Sequence, residues 1–327
     1  MNADDTPPPT RPSPTMQAIL ERLAREDGGQ PDPTTCPPAE GRRQAARANL
    51  RWNTDLPSLG HVDDILFTGT GGHDIPARLY LPENAVPGLV VYVHGGGFAF
   101  CDIASHERAV RCLAIECATA TLSVDYRLAP EHPYPCALED CLEVVRSLDK
   151  VRSRHPATRG PLALAGDSAG ANLALATLLA LGRDGDDTVV GVEHAMLFYG
   201  VYGTDFDTPS YHLYEHGPGL TRAKMQRCLD WYAPPDVDRR EPLLAPVLAS
   251  DQALRRLPPL YLNAAEIDPL RSDTERLVER LRGLGRDDHL CVVEGVVHGF
   301  MQMSRELPAA RRAIADAAAA FRLATGR

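Results

Sequence analysis

The feature that most limits what this chain can fold into is a run of five apolar residues, Leu89-Val90-Val91-Tyr92-Val93, with no position left to face water. A strand that is apolar throughout must be covered on both faces, the condition of a central strand in a parallel sheet. The sequence that follows keeps to this theme. A helix-period segment over His106–Cys117 leads to a strand at Ala120–Val124, and a second helix over Ala137–Val151 leads to a strand at Pro161–Ala165, with a third helix at Ala169–Leu181. Strand, helix, strand in that order predicts βαβ units, hence an α/β fold with helices on both faces of the sheet. The alternation resumes with strands Ala195–Tyr199 and Leu260–Ala264, helix Ser272–Leu284, strand His289–Val293 and a closing helix Pro308–Leu323. Two earlier runs, Ile65-Leu66-Phe67 and Ala77–Leu81, read as further strands.

Two stretches depart from the pattern. Residues 1–15 are polar and proline-rich and predict a flexible tail, followed by helical segments at Met16–Glu26 and Ala39–Trp52. Between Gly200 and Leu257 the sequence becomes aromatic and proline-bearing, with one helix near Thr221–Tyr232. We expect residues 16–60 and the insertion 200–257 to form a helical cap over a catalytic domain of residues 61–327.

The net charge of -10 argues against a nucleic-acid partner, because phosphate binding needs clustered bases. No apolar run is long enough to span a membrane, and the N-terminal residues lack the basic and apolar regions of a secretion signal. A soluble, cytoplasmic protein is the expectation. The eight cysteines form no Cys-x-x-Cys pair, so free thiols are expected and no metal site is predicted.

The chemistry is concentrated at Gly166-Asp167-Ser168-Ala169-Gly170. Gly-x-Ser-x-Gly alone says little, since a chain of this length holds about 0.1 such matches by chance. Here it joins an apolar strand directly to an apolar helix, the setting of a nucleophile elbow. The turn is tight enough that side chains at either glycine would strike the neighbouring strand and helix. Ser168 would sit at the tip, over a helix N-terminus that favours developing negative charge.

A serine hydroxyl needs a base, and the base needs an orienting acid. His298 follows the last strand and Asp268 follows the one before it. Ser168, Asp268 and His298 thus all fall at carboxyl ends of strands, where open α/β sheets bind ligands. Glu266, Asp273 and Glu294 are weaker candidates for the acid, and His289 precedes its strand. After Val93 comes His94-Gly95-Gly96-Gly97. Three glycines in a row are costly to order, and the amides of Gly96 and Gly97, with that of Ala169, predict an oxyanion hole.

His94-Gly95-Gly96-Gly97-Phe98, the run Asp125–Glu131, the elbow itself, Asp268-Pro269-Leu270-Arg271 and His298-Gly299-Phe300 together resemble the hormone-sensitive-lipase-like carboxylesterases, with bacterial acetyl esterases the closest kind. The resemblance runs from about residue 60 to the end. It implies the α/β-hydrolase fold, a mostly parallel central sheet flanked by helices with a helical cap. It also implies hydrolysis of short to medium acyl esters of a small-molecule substrate, without metal or cofactor. An amidase or deacetylase using the same triad stays open, as does a small-ligand receptor, which the presence of His298 disfavours. Cys101, Ala265 and Ser272 depart from common family residues. The Asp125–Glu131 run reads as scaffold, an Arg and a Glu locking a turn, and His94 as a support for the glycine loop. Phe98, Phe100, Tyr199, Tyr202 and the cap stretch Tyr211–Trp231 are expected to narrow the substrate pocket, and an edge strand leaves room for a homodimer.

Overall fold

The computed structural model describes residues 10–183 and 191–327. Its two N-terminal helices, α1 (Pro14–Asp27) and α2 (Pro38–Leu50), both start on proline, whose fixed φ suits a first turn and whose missing N–H is not needed there. Ser13 caps α1 and donates its amide to Gly295 O at 2.9 Å. The expected tail therefore stops short of Ser13, and residues 1–9 of it lie outside the described residues.

Among the described residues the sheet has eight strands: β1 (His61–Thr68), β2 (Asp74–Leu81), β3 (Leu89–Val93), β4 (Ala120–Val124), β5 (Leu162–Asp167), β6 (Val192–Phe198), β7 (Leu260–Ile267) and β8 (His289–Val297). Their spatial order is β1-β2-β4-β3-β5-β6-β7-β8. β2 pairs antiparallel with β1 and β4, and every other pairing is parallel. The helices are α3 (Glu107–Cys117), α4 (Cys136–Arg146), α5 (Asp149–Arg154), α6 (Ala169–Arg183), α7 (Pro209–Leu213), α8 (Arg222–Tyr232), α9 (Asp251–Arg256), α10 (Arg271–Gly283) and α11 (Pro308–Ala324).

β3 is buried at all five positions. Its alternate side chains divide between two cores: Leu89, Val91 and Val93 pack with α4, α6 and α10, and Val90 and Tyr92 with α3 and α11. Burial of each such side chain contributes about 1.5–3 kcal/mol, which is why this run admits no polar residue. Among the described residues, no helix is long and apolar enough to cross a membrane.

The structure departs from the sequence pattern in informative ways. The helix expected over Ala137–Val151 is two, α4 and α5. The Ser147 amide bonds to both Glu143 O and Val144 O as the first helix closes, and the change of direction buries Leu148 and Val151. The short helices α7 and α9 were not visible in the pattern. Strands β5, β7 and β8 run past their apolar stretches to Asp167, Ile267 and Val297, because the ladder continues beneath polar side chains, pairing Asp167 with Phe198 and Ile267 with Val297. The residue after each of these strands is Ser168, Asp268 or His298.

Candidate active site

Ser168 joins β5 to α6 with φ 55°, in the left-handed region that costs a non-glycine residue about 1–3 kcal/mol. Its amide donates to Phe198 O at 2.8 Å, holding the turn in place. The glycines on either side are sterically required. A Cβ at Gly166 would lie 2.4 Å from Gly170 O, and one at Gly170 would lie 2.0 Å from Val93 O. Among the described residues, Phe98, Cys101 and Tyr199 also have positive φ, of 63°, 70° and 37°, so backbone strain gathers at this edge of the sheet.

His298 places Nε2 2.9 Å from Ser168 Oγ and Nδ1 2.7 Å from Asp268 Oδ2. Asp268 is wholly buried, and its other oxygen accepts from the Leu270 amide at 2.9 Å. A carboxylate on Nδ1 holds the ring proton there and leaves the Nε2 lone pair toward the hydroxyl, so this chain of bonds can draw a proton from Ser168. The edge of the Tyr199 ring packs on the imidazole at a centroid distance of 5.0 Å.

Facing the serine, the glycine loop adopts φ 124° at Gly96 and 59° at Gly97. Gly96 O accepts from the amides of Ala99 and Phe100. A Cβ at Gly96 would lie 2.1 Å from Phe100 O, and one at Gly97 would lie 2.6 Å from Cys228 Sγ on α8. Among the described residues, the amides of Gly96, Gly97 and Ala169 have no acceptor within the protein, and Gly96 and Gly97 line the same cavity as Ser168. The Gly95 amide, by contrast, is already spent on Asp167 Oδ1 at 2.9 Å.

Asp167 ties this assembly together. It accepts from Tyr92 Oη at 2.7 Å and from Gly95 N, and its Oδ1 lies 3.2 Å from His106 Nε2. Burial opposes its ionisation, but His106 and these donors outweigh burial and hold the carboxyl below its usual range. His94 stacks on Tyr126 at 4.3 Å and places Nδ1 2.8 Å from Gly95 O, the support expected of it. The Asp125–Glu131 run is different. Its Arg and Glu do not lock one turn: Arg127 binds Asp140 of α4 at 2.8 Å, and Glu131 binds Arg42 of α2. Arg42 also donates to Ala99 O at 2.8 Å and Ala129 O at 2.7 Å, and its hydrogen bond holds Glu131 below the usual carboxylate range.

Residues 90–302 match the family described as alpha/beta hydrolase fold. The chain belongs to that family. This α/β hydrolase is 32% identical over 323 residues to carboxylesterase NlhH of Mycobacterium tuberculosis, covering 97% of this chain and 98% of that one. It is also 32% identical over 271 residues to an acetyl esterase of Salmonella typhi, covering 83% and 82% of the two chains. Among solved structures, the hyperthermophilic esterase of the archaeon Pyrobaculum calidifontis superposes with a TM-score of 0.86 at 32% identity, covering 95% of this chain and 98% of that one.

The hydrolase encloses Ser168 and His298 in a cavity of about 370 Å³, walled by Trp52, Phe100, Leu220, Met225, Cys228 and Met303. A larger hollow of about 590 Å³ between α6 and α9 contains none of Ser168, Asp268 and His298. Of the expected pocket residues, Phe100 reaches the cavity lining, as do Leu220, Met225 and Cys228 of the Tyr211–Trp231 stretch, whereas Phe98, Tyr199 and Tyr202 do not. Phe98 is buried face to face with Tyr232, centroids 3.9 Å apart. Tyr199 turns its hydroxyl back to Asp167 at 3.5 Å, and Tyr202 is fully buried in the core. An aromatic residue beside a motif does not reveal which way it faces. The rest of the wall comes from the turns after α2 and β8, with Trp52 and Met303, which only distant packing brings together. Cys101 does line the cavity, and burial pushes its thiol up to about 12, which leaves it a poor nucleophile.

Proposed function

We propose that this chain hydrolyses carboxylic esters with short to medium acyl chains by way of a covalent acyl-enzyme. Ser168 Oγ attacks the ester carbonyl as His298 Nε2 takes its proton, and the carbonyl oxygen becomes negative against the amides of Gly96, Gly97 and Ala169. The protonated imidazole, steadied by Asp268, returns the proton to the departing alcohol. Water then enters, His298 again acts as base, and the acid is released. The observation that carries this reading is the unbroken bond chain from Asp268 through His298 to Ser168, opposite three unengaged amides. The esterase names of the relatives support it, and the modest, largely apolar cavity supports a short to medium acyl group. Residues 16–60 and 200–257 act as the cap, a division supported by Trp52 from the first and Leu220, Met225 and Cys228 from the second in the cavity wall. Eight unpaired cysteines support a reducing, cytoplasmic setting, and the place of β8 at the sheet edge, where Ser13 engages it at Gly295, suits a homodimer through its other residues.

Turnover of p-nitrophenyl acetate and butyrate by Ser168→Ala tests the reading. The expected outcome is a loss of about 10⁴-fold or more in kcat, together with loss of labelling by a fluorophosphonate. A variant that keeps wild-type turnover overturns it.

A further inference from the structure

A second group of reactive side chains lies far from the serine. His61 and Asp63 belong to β1, whose His61 pairs with Leu81 of β2, while Tyr80 pairs with Thr121 near the start of β4. They therefore sit by the amino ends of the parallel strands, whereas Ser168 follows the carboxyl end of β5. Positions two apart on a strand share a face, so both point the same way. His155, the residue after α5, meets them there: its Nε2 lies 2.9 Å from Asp63 Oδ2, and its ring centroid is 5.9 Å from that of His61. One ligand atom of each of the three lies within 4.8 Å of the others.

The backbone beneath each group is held. His61 and Asp63 are in the β1–β2 ladder. His155 donates its amide to Val151 O at 2.9 Å, and its carbonyl accepts from the Thr158 amide at 2.9 Å and hydroxyl at 2.7 Å. Little ordering is left for a ligand to impose. His61 is exposed, so the cluster is open to solvent on one side.

We propose that His61, Asp63 and His155 bind a single first-row transition-metal dication of the Zn²⁺ type. Two imidazole nitrogens and one carboxylate oxygen are a donor set that Zn²⁺ favours and that Mg²⁺ and Ca²⁺, which seek oxygen ligands, do not. Bonds of about 2.0–2.1 Å bring such atoms to roughly 3.3 Å from one another, a contraction that side-chain rotation supplies. Water completes the tetrahedron. Binding requires both imidazoles to be neutral at the ligating nitrogen, so any proton held between His155 and Asp63 leaves to solvent as the ion enters. The ion would join β1 to the exit of α5 and stabilise the fold by mass action, without a part in ester chemistry.

Untagged full-length protein, stripped with chelator, is titrated with ZnCl₂ by calorimetry near neutral pH and melted with and without the ion. The expected result is one ion per chain, a rise in Tm, and no heat from MgCl₂. His61→Ala and His155→Ala should each weaken binding about tenfold or more and abolish the rise in Tm, with ester turnover unchanged. The proposal is overturned by no Zn²⁺ binding by the wild type, or by wild-type affinity in the His61→Ala/His155→Ala double variant, which would assign the ion to the cysteines. Unchanged affinity in His61→Ala alone would likewise reduce the cluster to an ordinary His155–Asp63 hydrogen bond.

Discussion

At the carboxyl edge of the sheet, position is dictated by backbone. Ser168 is at φ 55°, flanked by two glycines with no room for a Cβ, and the glycine loop opposite turns through φ values that other residues rarely adopt. Across the cavity, position is dictated by side chains. Trp52 comes from the turn after α2 and Met225 and Cys228 from α8, and α2 is held to the glycine-loop side by Arg42, with its bonds to Ala99, Ala129 and Glu131. The two regions should therefore fail differently: damage to the first falls on the chemical step, and damage to the second on substrate binding and local stability.

Gly97→Ala is the sharpest way to break the first region. The new methyl would meet Cys228 Sγ at 2.6 Å on a backbone already at φ 59°, turning the amide away from the proposed oxyanion position. Steady-state kinetics should show kcat down by about 10²–10³-fold with KM little changed. A loss confined to KM would place Gly97 with the wall instead.

Asp273 of α10 links the two regions, its Oδ2 accepting from the amides of Tyr202 and Gly203 at 2.9 Å each, where the 200–257 stretch begins. Burial raises its carboxyl to about 6, against the pull of those amides. The native state thus holds this proton more tightly than the unfolded chain does. The group's contribution to stability is full below about pH 4 and is lost as pH rises through about 6. Urea unfolding of Asp273→Asn should accordingly show a gain over wild type above pH 6 on the order of 2–3 kcal/mol, disappearing near pH 4. A variant whose stability tracks wild type at every pH would remove the buried charge from the link.

The smallest effect belongs to Arg42→Ala. Loss of its bonds should cost about 1–2 kcal/mol in thermal unfolding and raise KM a few-fold, with kcat nearly constant. A large fall in kcat would mean that the wall, too, governs the chemical step.

The same division decided how much could be read beforehand. Ser168, Asp268, His298, Gly96 and Gly97 were legible because each is announced locally, by a strand before it and a helix or glycine run beside it. Phe98, Tyr199 and Tyr202 were misread as lining because their burial depends on partners elsewhere, such as Tyr232 on α8 and Asp167 on β5. Arg127 and Glu131 suggested one locked turn, but their partners are Asp140 and Arg42. His155 lies 92 positions from Asp63, so no local spacing could link them. The break between α4 and α5 was hidden because Leu148 and Val151 continue an apolar pattern while the chain changes direction.

Ser168, the proposed nucleophile, follows β5, which lies deep in the sheet, buried at all six positions and laddered to β3 on one side and β6 on the other. Such a strand opens only when the molecule does, because local fluctuations that free an edge strand leave a central one closed. Ser168 therefore shares the lifetime of the native state, and ester turnover, measured under conditions that erode the protein, counts the molecules still folded.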